Sequence, residues 1–273
     1  MTKISILGCG WLGLPLAKAL LKKGIAINGS TTSENKLPIL KEAGINSFLV
    51  NVESEGISES IESFLAESEI LIVDIPPKLR ASQSSLAQSE MTFVNKIKNL
   101  IPFIEKSAVK SVLFVSSTSV YGDDNGFITE ETNPNPETES GKQLLLAENL
   151  LLENLNFTTT ILRFGGLIGE DRHPVKFLAG KENIENPDAP VNLIHQNDCI
   201  GIIEAILSQS KWKEIFNAVA PYHPTRAEYY TQKAAQKNLP LPKFSLQQSN
   251  IKKVISSEKI ESILDYKFRL EDY

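Results

Sequence analysis

KISILGCGWLGLPLAKALLKKG, residues 3–24, decides how the rest of the chain is read. Ile4, Ile6 and Leu7 form a short apolar run, the pattern of a buried parallel strand. Gly8, Gly10 and Gly13 follow at GxGxxG spacing. Leu14, Ala17, Leu20 and Leu21 then recur at helical intervals, Lys22 and Lys23 fall in the last turn, and Gly24 stops the helix. A strand, three spaced glycines and a helix in that order form a dinucleotide-binding fingerprint. Gly8 lets the chain turn tightly, Gly10 lets a diphosphate reach the backbone, and Gly13 lets the helix lie close to the strand. Trp11 and Leu12 lie at the helix N-terminus, where free N–H groups and a partial positive charge receive phosphates.

Working outward, the size and composition fit this reading. The chain has 273 residues, 41% of them apolar and 22% charged, with a net charge of −5. That suits a soluble α/β protein made of a nucleotide domain and a smaller companion. No basic patch or tail points to nucleic acid, and no apolar run approaches membrane-spanning length. Cys9 and Cys199 make neither a disulfide framework nor a metal spacing, so no metal is expected. The opening strand leaves no room for a signal peptide before it, and the expected location is the cytoplasm.

Strands alternate with helices along the chain, which predicts a Rossmann-type, doubly wound parallel sheet. Strands are expected at IAING after Gly24, at 46–52, at 70–75, at 111–116 and at 157–162, the last leading to Arg163. An amphipathic helix is expected from about Ser84 to Lys106, interrupted by Pro102. Another runs from about 140 to 154. The pattern changes after Arg163. The expected division is a dinucleotide domain over 1–165 and a smaller substrate-binding region over 166–273, partly packed back on the sheet. In that region VNLI and IFNAV read as strands, TRAEYYTQKAAQKN as a helix, and Asp198 as a helix N-cap.

The second strand ends in Asn28-Gly29-Ser30-Thr31-Thr32-Ser33, with no carboxylate before Glu34. An acid there would hold the ribose hydroxyls of NAD. Hydroxyls at Thr31, Thr32 and Ser33 tolerate a 2′-phosphate better, so the cofactor is expected to be NADP or NAD, with a lean to NADP. Asn51 and Val52 fall where a strand end borders an adenine ring. Ile75, Pro76 and Ser116 fall at further strand ends on the same side.

GCGWLG, FVSSTSVYG, ILRFGGLIG and NLIHQND, in this order, resemble the extended short-chain dehydrogenase/reductases of NAD-dependent epimerase/dehydratase type. The resemblance covers nearly the whole chain. GSTTSENK, ETNPNPETESGK, RHPVKFLAGK and VNLIHQND are similar to an atypical YeeZ-like subgroup. The resemblance implies an NAD(P) cofactor, a small-molecule substrate, a homodimer, and a substrate-polarising hydroxyl at Ser117. It also implies a Tyr and a Lys four residues apart, but the matching positions hold Ser140 and Leu144. A serine cannot replace the tyrosine as an acid near neutral pH. Tyr121 is the candidate substitute. Arg163, Arg172 and His173 follow the sixth strand and are candidates for an anionic substrate group. Two functions follow as expectations. One is an NAD(P)-dependent oxidoreductase or epimerase with altered catalytic residues. The alternative is a non-catalytic NAD(P)-binding sensor or regulatory partner.

Overall fold

The computed structural model describes residues 2–77, 91–123, 126–247, 251–270 and 273. Strand β1 (Lys3–Leu7) leads through the glycine turn into helix α1 (Gly13–Lys22). Strand β2 (Ala26–Thr31), helix α2 (Leu37–Glu42), strand β3 (Asn46–Leu49), helix α3 (Ile61–Leu65) and strand β4 (Ile70–Val73) complete the first half. Helix α4 (Thr92–Lys106), strand β5 (Ser111–Ser117), the short strand β6 (Phe127–Ile128), helix α5 (Glu139–Leu152) and strand β7 (Thr158–Phe164) follow.

The remainder contains strand β8 (Gly166–Ile168), helix α6 (Val175–Leu178), strand β9 (Leu193–His195) and helix α7 (Gln196–Gln209). Strand β10 (Ile215–Ala218), helix α8 (Arg226–Gln236), strand β11 (Val254–Ile255) and helix α9 (Glu258–Leu264) come last.

Seven strands form one sheet in the order β10-β7-β5-β4-β1-β2-β3, all parallel. Read from β3, the order doubles back between β1 and β4. Such a reversal opens a crevice at the carboxyl ends of the strands, where this class of sheet binds ligands.

Two apolar layers cover the sheet. Phe64 of α3, Phe93, Ile97 and Leu100 of α4, and Leu144 and Leu151 of α5 cover one face. Leu16 and Leu20 of α1, Ile202 and Ile206 of α7, and Ile260 of α9 cover the other. Both faces of the strands are therefore dry, which explains their near-continuous apolar runs. A third, smaller cluster joins Ile168, Val175, Val191, Tyr229 and Tyr230 around α8. Thr225 opens α8 with a reciprocal capping box to Glu228. The chain beyond residue 165 thus builds a small core of its own and also returns to the large sheet through β10, α7 and α9.

Some local expectations are corrected. Pro102 does not interrupt α4, which continues through it to Lys106. The ring faces outward beside an exposed Lys98, so the carbonyl that lost its partner is on the wet side. The part of the expected helix at 84–90 lies outside the described residues. Asp198 is not the cap of α7: His195 caps it, with Nδ1 accepting from the Asn197 N–H at 3.2 Å. Asp198 instead accepts from the Tyr266 and Tyr273 hydroxyls at 2.7 and 2.8 Å and from the Arg269 N–H at 3.2 Å.

Candidate functional site

The glycine turn is fixed by backbone demands. Gly8 has φ +107°, and a Cβ there would lie 2.2 Å from the Asp74 carbonyl oxygen. A Cβ on Gly13 would lie 2.2 Å from the Gly8 carbonyl oxygen. At Gly10 a Cβ would meet nothing within 4 Å, so that position borders open space.

The turn is tied sideways to β2. The Gly8 N–H donates to Ser30 Oγ at 2.9 Å and the Cys9 N–H to the Ser30 carbonyl at 2.8 Å. The Gly10 N–H returns to the Gly8 carbonyl, and the Gly13 N–H donates to the Asp74 side chain. Among the described residues, the N–H groups of Trp11 and Leu12 have no backbone acceptor. They sit at the start of α1, where the helix dipole favours an anion.

A cavity of about 270 Å³ opens at the switch between β1 and β4. Its walls include Gly8 and Gly10 from the turn, Thr31 and Thr32 after β2, Val52, and Ile75 and Pro76 after β4. Lys36, Lys96, Glu53 and Asp74 also line it. Lys96 pairs with Glu53 at 2.6 Å. Burial pushes the Asp74 carboxyl up to about 8, although the Gly13 N–H pulls it down. Burial likewise raises the Cys9 thiol to about 12, so it is no nucleophile.

Of the expected cofactor residues, Trp11, Leu12, Gly13, Ser33 and Asn51 do not line this cavity, and Ser116 lines a different one. The Asn51 backbone is occupied by Ser58, whose hydroxyl takes the Asn51 N–H at 2.8 Å. Ser33 donates its N–H to Thr31 Oγ1 at 3.2 Å and leads into a short 3₁₀ turn, Glu34–Lys36. That turn brings Lys36 to the cavity wall.

A second cavity, of about 440 Å³, lies at the carboxyl ends of β5 and β7. Ser116, Ser117, Thr118 and Ser119 line one side, Gly165 and Gly166 another, and Arg172 and Lys253 complete it. Ser117 Oγ accepts the Ser119 N–H at 3.1 Å and keeps its own hydrogen to donate. Gly141 brings α5 close behind this turn, since a Cβ there would lie 2.3 Å from the Ser119 carbonyl.

Leu144, at the position of the family lysine, is packed into the apolar core. Ser140 is partly exposed near the start of α5.

Tyr121 and Arg163 are not where the sequence reading puts them. Tyr121 is 3% exposed, and its hydroxyl donates to Asn217 Oδ1 at 3.0 Å and accepts from Arg163 Nη1 at 2.7 Å. Burial raises its pKa, and Arg163 only partly opposes this. Arg163 is 2% exposed and is engaged by Glu148 of α5. Glu148 also accepts from Ser116 Oγ at 2.5 Å. The physical reason is pleat direction: Arg163 projects toward α5, where a buried carboxylate waits, rather than off the strand end.

His173 is buried too. Its Nδ1 accepts the Val175 N–H and its Nε2 lies 3.1 Å from the Tyr229 hydroxyl. Burial, then the nearby charges of Lys237, Lys233 and Lys176, lower its pKa to about 4, so it is neutral. Arg172 is the one of the three candidates that reaches the cavity, with its guanidinium over the Trp11 ring at 5.1 Å.

Glu148 and Lys253 are not among the site residues that the sequence points to. Glu148 was detectable, because a carboxylate among the leucines of α5 requires a cation. Lys253 comes from an irregular tail without any periodic signal.

This architecture defines a dinucleotide-binding protein, and the chain belongs to the NAD(P)H-binding family, whose pattern matches residues 8–192. It is similar along its full length to Protein YeeZ of Escherichia coli (strain K12), at 32% identity over 274 aligned positions that cover 100% of this chain and 97% of the relative. Among solved structures, it resembles MoeE5 in complex with UDP-glucuronic acid and NAD, with a TM-score of 0.80 at 18% identity, covering 100% of this chain and 96% of that one. It also resembles UDP-glucuronic acid 4-epimerase from Bacillus cereus in complex with NAD, with a TM-score of 0.80 at 18% identity, covering 98% and 91%. No described helix is long and apolar enough to cross a membrane.

Proposed function

We propose that this protein is an NAD(P)-dependent oxidoreductase or epimerase acting on a small organic substrate. The observation that carries the reading is the pair of uncommitted N–H groups on Trp11 and Leu12 beside a glycine turn that admits no side chain at Gly8 or Gly13. The residues fit the group. Trp11 and Leu12 would take the diphosphate, Thr31, Thr32 and Lys36 the adenosine ribose, and Val52, Ile75 and Pro76 the adenine side. Bound there, a nicotinamide dinucleotide supplies hydride transfer. NADP is favoured because the hydroxyls of Thr31 and Thr32 and the ammonium of Lys36 line the cavity after β2, whereas Glu34 does not.

Ser117 holds and polarises the reacting oxygen with its hydroxyl hydrogen. Tyr121 gives its hydroxyl to Asn217, so the proton passes through water or a cavity group. Complexes of structural relatives with UDP-sugars support a small polar substrate. Free buried thiols at Cys9 and Cys199 fit a reducing compartment, so we read the protein as cytoplasmic. By its resemblance to extended members, we read it as a homodimer.

Calorimetric titration with NAD⁺, NADH, NADP⁺ and NADPH tests cofactor binding, and Lys36→Met should erase the preference for the phosphorylated pair. Dinucleotide-linked absorbance against a panel of aldehydes and ketones tests turnover. Tight cofactor binding with no turnover of any substrate would overturn the enzymatic reading.

A further inference from the structure

We infer that the cavity beside Ser117 takes a small substrate bearing a carboxylate or phosphate group, held between Arg172 and Lys253. This rests on the oxidoreductase reading for its chemistry, but the binding claim stands on the cavity itself. Two cations and a row of hydroxyls line this space, and among the described residues no carboxylate does.

Lys253 is held in place from both ends. Its carbonyl accepts from Asn192 Nδ2 at 2.9 Å, and Asn192 Oδ1 accepts the Ile255 N–H at 2.9 Å. Its ammonium donates to the Gly122 carbonyl at 2.9 Å and to Asp123 Oδ1 at 2.8 Å, with the side chain only 16% exposed. An ammonium has three N–H groups. Two are committed to the wall, and the third is available to a ligand in the cavity.

Arg172 approaches on a separate segment. It forms no ion pair with a described residue and rests on the Trp11 ring, which supports the guanidinium without using its N–H groups. Its planar fork suits two oxygens of one carboxylate or phosphate.

The two cations therefore come from chain segments about eighty residues apart and line the same cavity as the Ser117 hydroxyl. Arg172 brings the uncompensated positive charge and Lys253, already paired with Asp123, a further N–H donor, and in a partly enclosed cavity such charge interacts with an anion more strongly than in bulk water. The volume, about 440 Å³, suits a small molecule. An anionic group gripped in this way would leave a neighbouring carbonyl or hydroxyl at Ser117.

The test titrates malonate and inorganic phosphate separately into the full chain at low ionic strength, with and without NADP⁺. One or both anions should bind, and the stronger identifies the group as carboxylate or phosphate. Arg172→Met and Lys253→Met should each weaken binding about tenfold or more. Arg172→Lys and Lys253→Arg should recover part of the loss. Thermal melting checks that each variant is folded, and Arg172, being exposed, keeps the test open if Lys253→Met does not fold. Failure of both anions to bind the unaltered protein, or equal binding by the Met variants, overturns the proposal. If the anions bind as expected but no dinucleotide does, the oxidoreductase reading falls and the anion site remains.

Discussion

Arg163 Nε lies 3.1 and 3.2 Å from the two carboxylate oxygens of Glu148, and Nη2 lies 2.6 Å from one of them, with both side chains buried. Removing one member leaves the other as an uncompensated buried charge, at a cost of about 3–5 kcal/mol. Arg163→Met should lower unfolding free energy by about that amount, measured by urea denaturation. Cofactor affinity of the folded fraction should change little, since neither residue lines the cofactor cavity. A variant as stable as the parent would show that the pair is not anchoring β7 to α5.

The same network fixes what Tyr121→Phe should do. The hydroxyl bridges Arg163 and Asn217, and its loss leaves part of a buried polar site unsatisfied, costing about 1–3 kcal/mol. Turnover should survive, because the hydroxyl is committed inside the protein. Loss of turnover in a variant that still folds and binds dinucleotide would restore Tyr121 as an acid. Ser117→Ala, in contrast, should lower kcat with little change in stability.

Asp74 makes the cofactor cavity sensitive to alkali. Its carboxyl is raised from an ordinary 3.8 to about 8, chiefly by burial. A raised acid stabilises the folded state fully below its ordinary value and loses that contribution as pH rises toward 8. Asp74→Asn should therefore flatten the pH dependence of melting temperature between pH 4 and pH 8. Ionised Asp74 would also set negative charge beside the bound diphosphate. Affinity for NADP⁺ should fall above pH 8 in the parent and hold level in the Asn variant.

Gly8→Ala combines a strained φ of +107° with a 2.2 Å approach to the Asp74 carbonyl. Its neighbour is backbone and cannot step aside cheaply. The variant should lose dinucleotide binding in calorimetry and melt several degrees lower. Gly10→Ala should retain its fold, because a Cβ there meets open space, and should weaken binding only through contact with the ligand.

The glycine turn was readable because its constraints are local: positive φ at Gly8 and backbone contact at Gly13 exclude side chains whatever the surroundings. The parallel sheet was readable from the apolar runs that two covered faces require. The direction of individual polar side chains was not. Arg163 ends an apolar strand and so looks like a ligand-side residue, yet its partner is Glu148, fifteen residues earlier on α5. Asp198 follows the habits of a helix cap but is drawn away by Tyr266 and Tyr273 from the far end of the chain. Lys253 reaches the Ser117 cavity through a pairing of β11 with β6 that two-residue strands do not announce. In each case a distant partner outweighed the local preference.

The seventh strand comes from residues 215–218, some fifty positions after the strand it pairs with. During synthesis, β7 is therefore displayed with an unsatisfied row of peptide groups until that late segment leaves the ribosome. A fragment ending at residue 165 would keep the nucleotide turn but lack both β10 and the helix α7 that covers part of α1. Such a fragment would be a sticky, aggregation-prone species rather than a miniature of the parent. Truncation at the apparent boundary is thus a poor route to a minimal cofactor binder.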